Sequence, residues 1–389
     1  MTGAPVENVD ERAIAVMRRE IATIPAVIAD TVRDIRPAMA DLARRYGRDL
    51  VDLVVTGCGD SQFAGLATRL AFERDAGVRC RATGALELVR YDIRYLPTDP
   101  APLLIAVSYS GEVGRTIEAA TVARDFGWRS VALTGKPDGR LARAADEAIL
   151  MRVPTLGFSP GTSTYVAMVT ALLVLAAELA RVLGRVDAAA RLDEGLARAP
   201  DLAAETIAAS EVSARHAAEL MASANVTTFL GAGPSKATAA FGAAKLFEGP
   251  QRYGVVQDLE EWAHEQYFVS GPGTPVVIVA PAGASRDRAD ELLAEMAFIG
   301  APTVVVGGAA GGRSEGSTPT GPHGIGPIEL PIAAGLDEAL SPLLTCLPLA
   351  LAAFFLSERL GTRSYGFPSA EHEREHYETI HRATRGEPA

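Results

Sequence analysis

The chain carries one short pattern twice, and that repetition limits its fold more than any other feature. Residues 51–56 form an apolar run that stops at Gly57-Cys58-Gly59-Asp60-Ser61, and helix-like periodicity follows over residues 62–73. Residues 225–230 form a second run that stops at Gly231-Ala232-Gly233-Pro234-Ser235, with a helix over residues 236–247. Strand, glycine turn with a serine, helix is the opening of a βαβ unit, and its recurrence predicts two similar α/β halves. Further apolar runs at 103–107, 130–133 and 148–153, and at 274–280 and 302–306, alternate with helix-like stretches. Runs that are apolar throughout mean strands of a parallel sheet covered on both faces.

Other segments fill in the frame. The first fifty residues are helical in pattern, with Val16, Ile21, Ile24, Val27, Ile28 and Val32 on one face and a break expected at Pro25. Residues 164–183 read as a helix apolar nearly all round, hence buried. Residues 185–222 are amphipathic and alanine-rich, suited to bridging two lobes. Residues 307–326 are rich in Gly, Ser and Pro and predict an irregular loop, and 336–360 a buried helix.

Charge and composition narrow the classes. With 389 residues, 48% hydrophobic, the chain has ample length for full cores and is not a disordered chain. A net charge of −11 argues against binding nucleic acid by bulk charge, which needs a basic footprint. The first residues lack a charged segment followed by an apolar core, so no signal peptide is expected. The apolar stretches 169–180 and 343–356 are interrupted by Glu178 and Pro348 and fall short of the ~20 residues a bilayer span needs. Cys58, Cys80 and Cys346 are too few and scattered for a disulfide framework or a thiolate metal site. A cytoplasmic protein with no metal, no cofactor, no membrane and no nucleic-acid partner is the expectation. Of the 37 Lys and Arg, only Lys136, Lys236 and Lys245 are lysine, so only these three side chains can supply an amine.

Four motifs carry chemistry. The turn Cys58-Gly59-Asp60-Ser61 lets backbone approach a ligand and opens a helix whose N-terminus attracts an anion. Ser108-Tyr109-Ser110-Gly111, with Thr116 just beyond, sets hydroxyls and amides around a second turn, as a tetrahedral anion needs. Ser159, Thr162 and Ser163 cluster in a third turn before the buried helix. Lys245 and Glu248 share a helix face, three residues apart, and His264 follows Glu248 by sixteen residues in the acidic segment that includes Glu261. By spacing alone, Lys245 and Glu248 are equally a surface ion pair. Carboxylate, amine and imidazole together are the set that moves a proton between adjacent sugar carbons and opens a ring.

These motifs resemble SIS (sugar isomerase) domains, in particular the isomerase half of glucosamine-6-phosphate synthase and the related phosphosugar deaminases and fructosyl-amine deglycases. The similarity runs from Met17-Arg18-Arg19-Glu20-Ile21 to near Gly361. The family's S-x-S-G-x-T anion loop matches residues 108–113, its C-G-T-S turn matches 58–61, and its lysine, glutamate and histidine match Lys245, Glu248 and His264. The resemblance implies two tandem SIS domains, each a five-stranded parallel doubly wound sheet. It implies limits of 1–48 for an N-terminal helical segment, 49–208 and 209–362 for the two domains, and 363–389 for a tail over the active site. It also implies a homodimer in which His264 serves the neighbouring subunit's site. Glu248 would shuttle the proton, His264 open the ring, and Lys245 polarise the open chain. Cys58, Gly59, Asp60, Ser61, Ser108, Tyr109, Ser110, Thr116, Ser159, Thr162, Ser163, Glu261 and His381 would bind the anionic sugar.

The sequence also departs from the family. Residue 2 is Thr where the synthases carry a nucleophilic Cys, no glutaminase domain precedes the repeat, Val113 replaces a loop threonine, and Pro160 stands at a family serine. No lysine follows Lys245 to form the synthase's Schiff base. The expected function is an aldose–ketose isomerase of a hexose with an anionic C6 group, phosphate or sulfonate. The alternatives are an amino-sugar-phosphate deaminase or fructosyl-amine-6-phosphate deglycase, and a non-catalytic sugar-phosphate-binding regulator. In the tail, His372-Glu373-Arg374-Glu375-His376 fits the zinc signature H-E-x-x-H, and Tyr365, His372, His376 and His381 are the residues placed to touch substrate if the tail folds over the site.

Overall fold

The structure, a computed structural model, describes residues 14–308 and 326–382. Its first sheet comprises β1 (Asp52–Gly57), β2 (Arg79–Gly84), β3 (Leu103–Val107), β4 (Arg129–Thr134) and β5 (Glu147–Leu150), all parallel, in the order β2-β1-β3-β4-β5. The second comprises β6 (Val226–Gly231), β7 (Tyr253–Asp258), β8 (Val276–Val279), β9 (Thr303–Gly308) and β10 (Ile328–Pro331), parallel in the order β7-β6-β8-β9-β10. Each sheet thus follows the same 2-1-3-4-5 path, as the repeated pattern predicts.

The helices of the first half are α1 (Ile14–Tyr46), α2 (Asp60–Leu70), α3 (Ala85–Glu87), α4 (Gly114–Asp125), α5 (Arg140–Ala144), α6 (Ser163–Val182) and α7 (Val186–Ala222). Those of the second are α8 (Pro234–Glu248), α9 (Leu259–His264), α10 (Arg286–Ile299), α11 (Pro342–Leu360) and α12 (Ala370–Glu375). Strand alternation sorts them into layers. Leu53 and Val55 of β1 point into one large core shared with α1, α2, α6, α7, α8 and α11, whereas Val54 points outward to α3, α4 and α5. Likewise Phe229 joins the shared core while Leu230, Val276 and Ile278 pack outward on α9 and α10. The order is outer helices, sheet, helical middle layer, sheet, outer helices.

Three strands escape the sequence reading, and all are edges. β2 reads Arg-Cys-Arg-Ala-Thr-Gly with its arginines exposed, β7 exposes Tyr253 and Val255, and β10 is four residues ending in proline. An edge strand lacks the continuous apolar run of a central one, so the criterion that found β1 and β3 misses them. A second expectation is corrected. Pro25 does not break the first helix: α1 runs on through Pro25 and Pro37. Its buried face, from Val16 and Met17 through Ile21, Ile24, Ile28 and Ile35, packs against α6 and α7. Burial at ~25 cal/mol per Å2 over so long a face outweighs the hydrogen bond each proline removes.

The apolar stretches are also longer as helices than as runs of sequence. α6 and α11, with 20 and 19 residues, are long and apolar enough to cross a membrane, yet most of each is buried within the protein. α7 spans residue 208 without a break and packs on α1 and α6 of the first half and α11 of the second. Most of the expected loop at 307–326 lies outside the described residues.

This packing makes a direct prediction. Leu172, in the middle of α6, is fully buried, so Leu172→Ala lowers unfolding stability by about 2–5 kcal/mol. Val212→Ala, at an exposed position of α7, stays within about 0.5 kcal/mol. Chemical denaturation of both variants beside the parent measures the contrast.

Candidate active site

β1 and β3 lie side by side, but β1 leads out through α2 into the middle layer and β3 through α4 onto the outer face. Connections that diverge in this way mark the carboxyl ends of the two strands as the place where ligands bind in such sheets. The turns read from the sequence flank it. Gly59 takes a positive φ of 56°, which suits glycine, and a Cβ there would meet nothing within 4 Å, so the turn is open. α2 begins immediately after it without a side-chain cap; Ser61 N bonds back to Cys58 O at 3.3 Å, while Asp60 N and Gln62 N have no partner among the described residues.

In the second turn the Ser108 and Ser110 hydroxyls lie 3.4 Å apart. Gly111 N donates to Ser108 Oγ at 3.2 Å and Glu112 N to Ser110 Oγ at 3.4 Å. The third turn brings Thr162 and Ser163 to the start of α6, both buried, with hydroxyls that have no hydrogen-bond partner among the described residues. Buried hydroxyls normally have a hydrogen-bond partner, which singles out this turn. Gly161 joins this turn to the next cluster: a Cβ on it would stand 2.7 Å from Asp60 Oδ2.

The helices after the two glycine turns, α2 and α8, pack on each other across the middle layer. That contact brings Lys245, in the last turn of α8, to Asp60, the first residue of α2. Lys245 is completely buried, with Nζ 2.8 Å from Asp60 Oδ2, 2.5 Å from Glu248 Oε2, and 4.9 Å above the Phe241 ring. It is a core ion pair bridging the two halves, not a surface one. Two carboxylates share one ammonium out of water. Burial pushes Glu248 up to about 7, with Asp60 adding repulsion and Lys245 only partly offsetting it. Burial likewise raises Asp60 against the pull of Lys245. For Lys245 burial favours the neutral amine, but Asp60 and Glu248 outweigh it and hold the group above its ordinary value, hence charged.

Two further groups border the cluster. Glu20, buried on α1, accepts a hydrogen bond from Ser159 Oγ, and burial raises its carboxyl while Lys245 draws it down. The sequence signal was an acid on an otherwise apolar stripe, beside Met17, Ile21 and Ile24. From the tail, Tyr365 N donates to Glu248 O at 2.7 Å, and its phenol lies beside the Glu248 carboxylate, where it favours the ionised form. Its ring packs 5.0 Å from Phe158 of the third turn, and Tyr377 reaches the same ring at 6.2 Å. Arg140 Nη1 donates to Arg382 O at 2.8 Å. The tail therefore lies across both halves at this end of the molecule.

Several expected sugar-binding side chains are committed elsewhere. Tyr109 turns inward and its hydroxyl donates to Val153 O at 2.9 Å, so this loop offers its backbone rather than its phenol. Thr116 is buried and donates to Cys58 Sγ at 3.8 Å, and burial raises the Cys58 thiol, which stays neutral. Ser61 Oγ faces Met168 Sδ at 3.4 Å, and Ser159 holds Glu20. Asp60 serves as the partner of Lys245. Glu261 and His264 lie exposed on α9, on the outer side of the second sheet, and His264 Nε2 is 3.2 Å from Glu260 Oε1. Within the chain they do not join the Lys245–Glu248 cluster. His381 packs with His376 and Tyr377, while His372 Nδ1 is 3.1 Å from Ser369 Oγ. No group of three His, Cys, Asp or Glu side chains among the described residues is arranged to hold a metal ion.

The arrangement is a carboxylate poised near neutrality beside an ammonium, facing turns rich in hydroxyls and free amides. Residues 51–178 match the SIS domain family. The chain is 28% identical over 357 residues to glutamine–fructose-6-phosphate aminotransferase (isomerizing) of Pseudomonas putida, covering 89% of this chain and 56% of the relative. The chain thus spans a little over half the length of that relative. Among solved structures, the C-terminal domain of glucosamine-fructose-6-phosphate aminotransferase from Francisella tularensis superposes with a TM-score of 0.79 at 20% identity, covering 94% of this chain and all of that one. The tagatose-6-phosphate ketose/aldose isomerase of Escherichia coli does so at 0.67 and 18% identity, covering 93% and 95%. At these identities the two structures establish the shared fold.

The triad predicts an asymmetry between single and triple variants. Lys245→Met leaves two buried carboxylates uncompensated and destabilises by about 3–5 kcal/mol. Adding Asp60→Asn and Glu248→Gln to Lys245→Met removes those charges and recovers much of the loss. Denaturant melts of the single and triple variants report both values.

Proposed function

We propose that this protein is an aldose–ketose isomerase of a hexose carrying an anionic C6 group, phosphate or sulfonate. One observation carries the reading: Glu248, a largely buried carboxyl pushed up to about 7 by desolvation, sits beside the charged Lys245. A base that moves a proton between C1 and C2 works best when its pKa lies near the operating pH. Lys245 then steadies the negative charge that develops on the open chain. The free amides at the start of α2, with Ser108, Ser110 and the unpartnered Thr162 and Ser163, would hold the anion and the sugar hydroxyls. The second sheet we read as a second SIS domain, since it repeats the path of the first.

His264, exposed and apart from Glu248 in its own chain, would open the ring of a sugar bound in a partner subunit, which makes the working form a homodimer. The tail, 363–389, would cover the site. We place the protein in the cytoplasm, where phosphosugars are found. No metal or cofactor enters this reading. A second reading, amino-sugar-phosphate deamination or deglycation by the same enediol chemistry, is favoured by the excess of carboxylate over ammonium at the cluster, which suits an aminated substrate. A regulator that only binds would have no need of so costly a buried triad.

The test is incubation with a panel of hexose 6-phosphates, 6-sulfonates, their 2-amino derivatives and fructosyl-amine 6-phosphates in heavy water. Deuterium at C2 or C1 supports isomerisation, release of ammonia or of the free amine the second reading, and none of these for any substrate overturns both. Glu248→Gln lowers the rate about 10²–10⁴-fold. Because the base acts ionised, the rate rises with pH through about 7 and falls away below it.

A further inference from the structure

We propose that Tyr365 is a positioning residue for Glu248: a phenol carried in by the C-terminal segment that orients and tunes the carboxylate. This rests on the reading of Glu248 as the base. The sequence put Tyr365 among several tail residues that would touch substrate, and the geometry assigns it a different partner.

Tyr365 is fastened at two points. Its backbone N–H donates to Glu248 O at 2.7 Å, which sets its phenol beside the Glu248 carboxylate, and its ring packs on Phe158 at 5.0 Å. Its φ of +50° lies in the left-handed region, which a tyrosine adopts at a cost of about 1–3 kcal/mol unless its surroundings hold it there. A segment that needed only to cover the site would not need this conformation. One residue spans the main chain and the side chain of the same glutamate, so the position of the segment and the direction of the carboxylate are set together. Ser364, its neighbour, is buried with an unpartnered hydroxyl, which brings a further polar group to the same place.

The charged and titratable groups facing Glu248 are Lys245 on its own helix, Asp60 from α2 and Tyr365 from the tail. Lys245 and Tyr365 favour the ionised carboxylate, while burial and Asp60 oppose it. Burial and the Glu248 charge hold the phenol well above its ordinary range, so it stays protonated and acts as donor. No proton moves between the two. Loss of the donor therefore raises the carboxyl further.

The experiment needs no substrate. Infrared spectra taken across pH resolve the carbonyl stretch of a protonated carboxyl from ionised carboxylates. The band lost in Glu248→Gln belongs to Glu248 and titrates near 7 in the parent protein. In Tyr365→Phe, which keeps the ring on Phe158, its midpoint moves up by about half a unit or more, roughly a threefold gain in proton affinity. Placing 3-fluorotyrosine at position 365, a more acidic and stronger donor, moves it down, and this keeps the proposal testable if the Phe variant fails to fold. A midpoint unmoved in both variants, or no titrating band lost in Glu248→Gln, overturns the proposal. Failure of the whole sugar panel leaves this titration as it stands, so the two ideas fail separately.

Discussion

A lysine ammonium held out of water between two carboxylates is the interaction on which the rest depends. Lys245 comes from the second half of the chain and Asp60 from the first, so their contact exists only when α2 and α8 are packed. A buried ammonium without both partners is strongly unfavourable, and so are the carboxylates without it. The same desolvation that makes the triad costly lifts Glu248 into the range where it can take and return a proton near neutral pH. Fold and chemistry thus hang on one contact: the helices must meet for the cluster to exist, and the cluster must be dry to be useful.

Lysine is what that place demands. An ammonium is a compact point charge on a flexible stem, whereas a guanidinium is a planar fork with five donors to satisfy. In the space between Asp60, Glu248 and the Phe241 face, the compact group fits and its charge is shared between the two acids. In a chain with only three lysines, one being fully buried carried more information than the shortage itself.

Much of the architecture was legible in the sequence. The runs that became β1 and β3 are central strands, buried almost throughout and correspondingly apolar, and β6 was marked by the glycine turn that follows it. β2, β7 and β10 were not legible, because edge strands carry Arg79, Arg81, Tyr253 and Glu329 among their residues. At the site, helical spacing alone read Lys245 and Glu248 as a surface ion pair and only the family resemblance singled them out, while nothing local said that Asp60 would lie against Lys245, 185 positions away. Thr116, Ser61 and Tyr109 were credited with facing a ligand because their types and turns suited it. Their hydroxyls turn to Cys58, Met168 and Val153 instead, a matter of rotamer and packing that residue type does not reveal. Tyr365 and Glu20 reach the cluster from opposite ends of the chain.

The long helix α7 has a consequence for how the two halves move. It runs unbroken from one half to the other and is packed on α1, α6 and α11 along the way, within a single core that the two sheets share. A jaw-like swing of one half against the other would have to snap that rod and split the core. The two halves are therefore one packed unit and not two separable ones, and the chain beyond α11 is fastened to that unit by a few rings and hydrogen bonds.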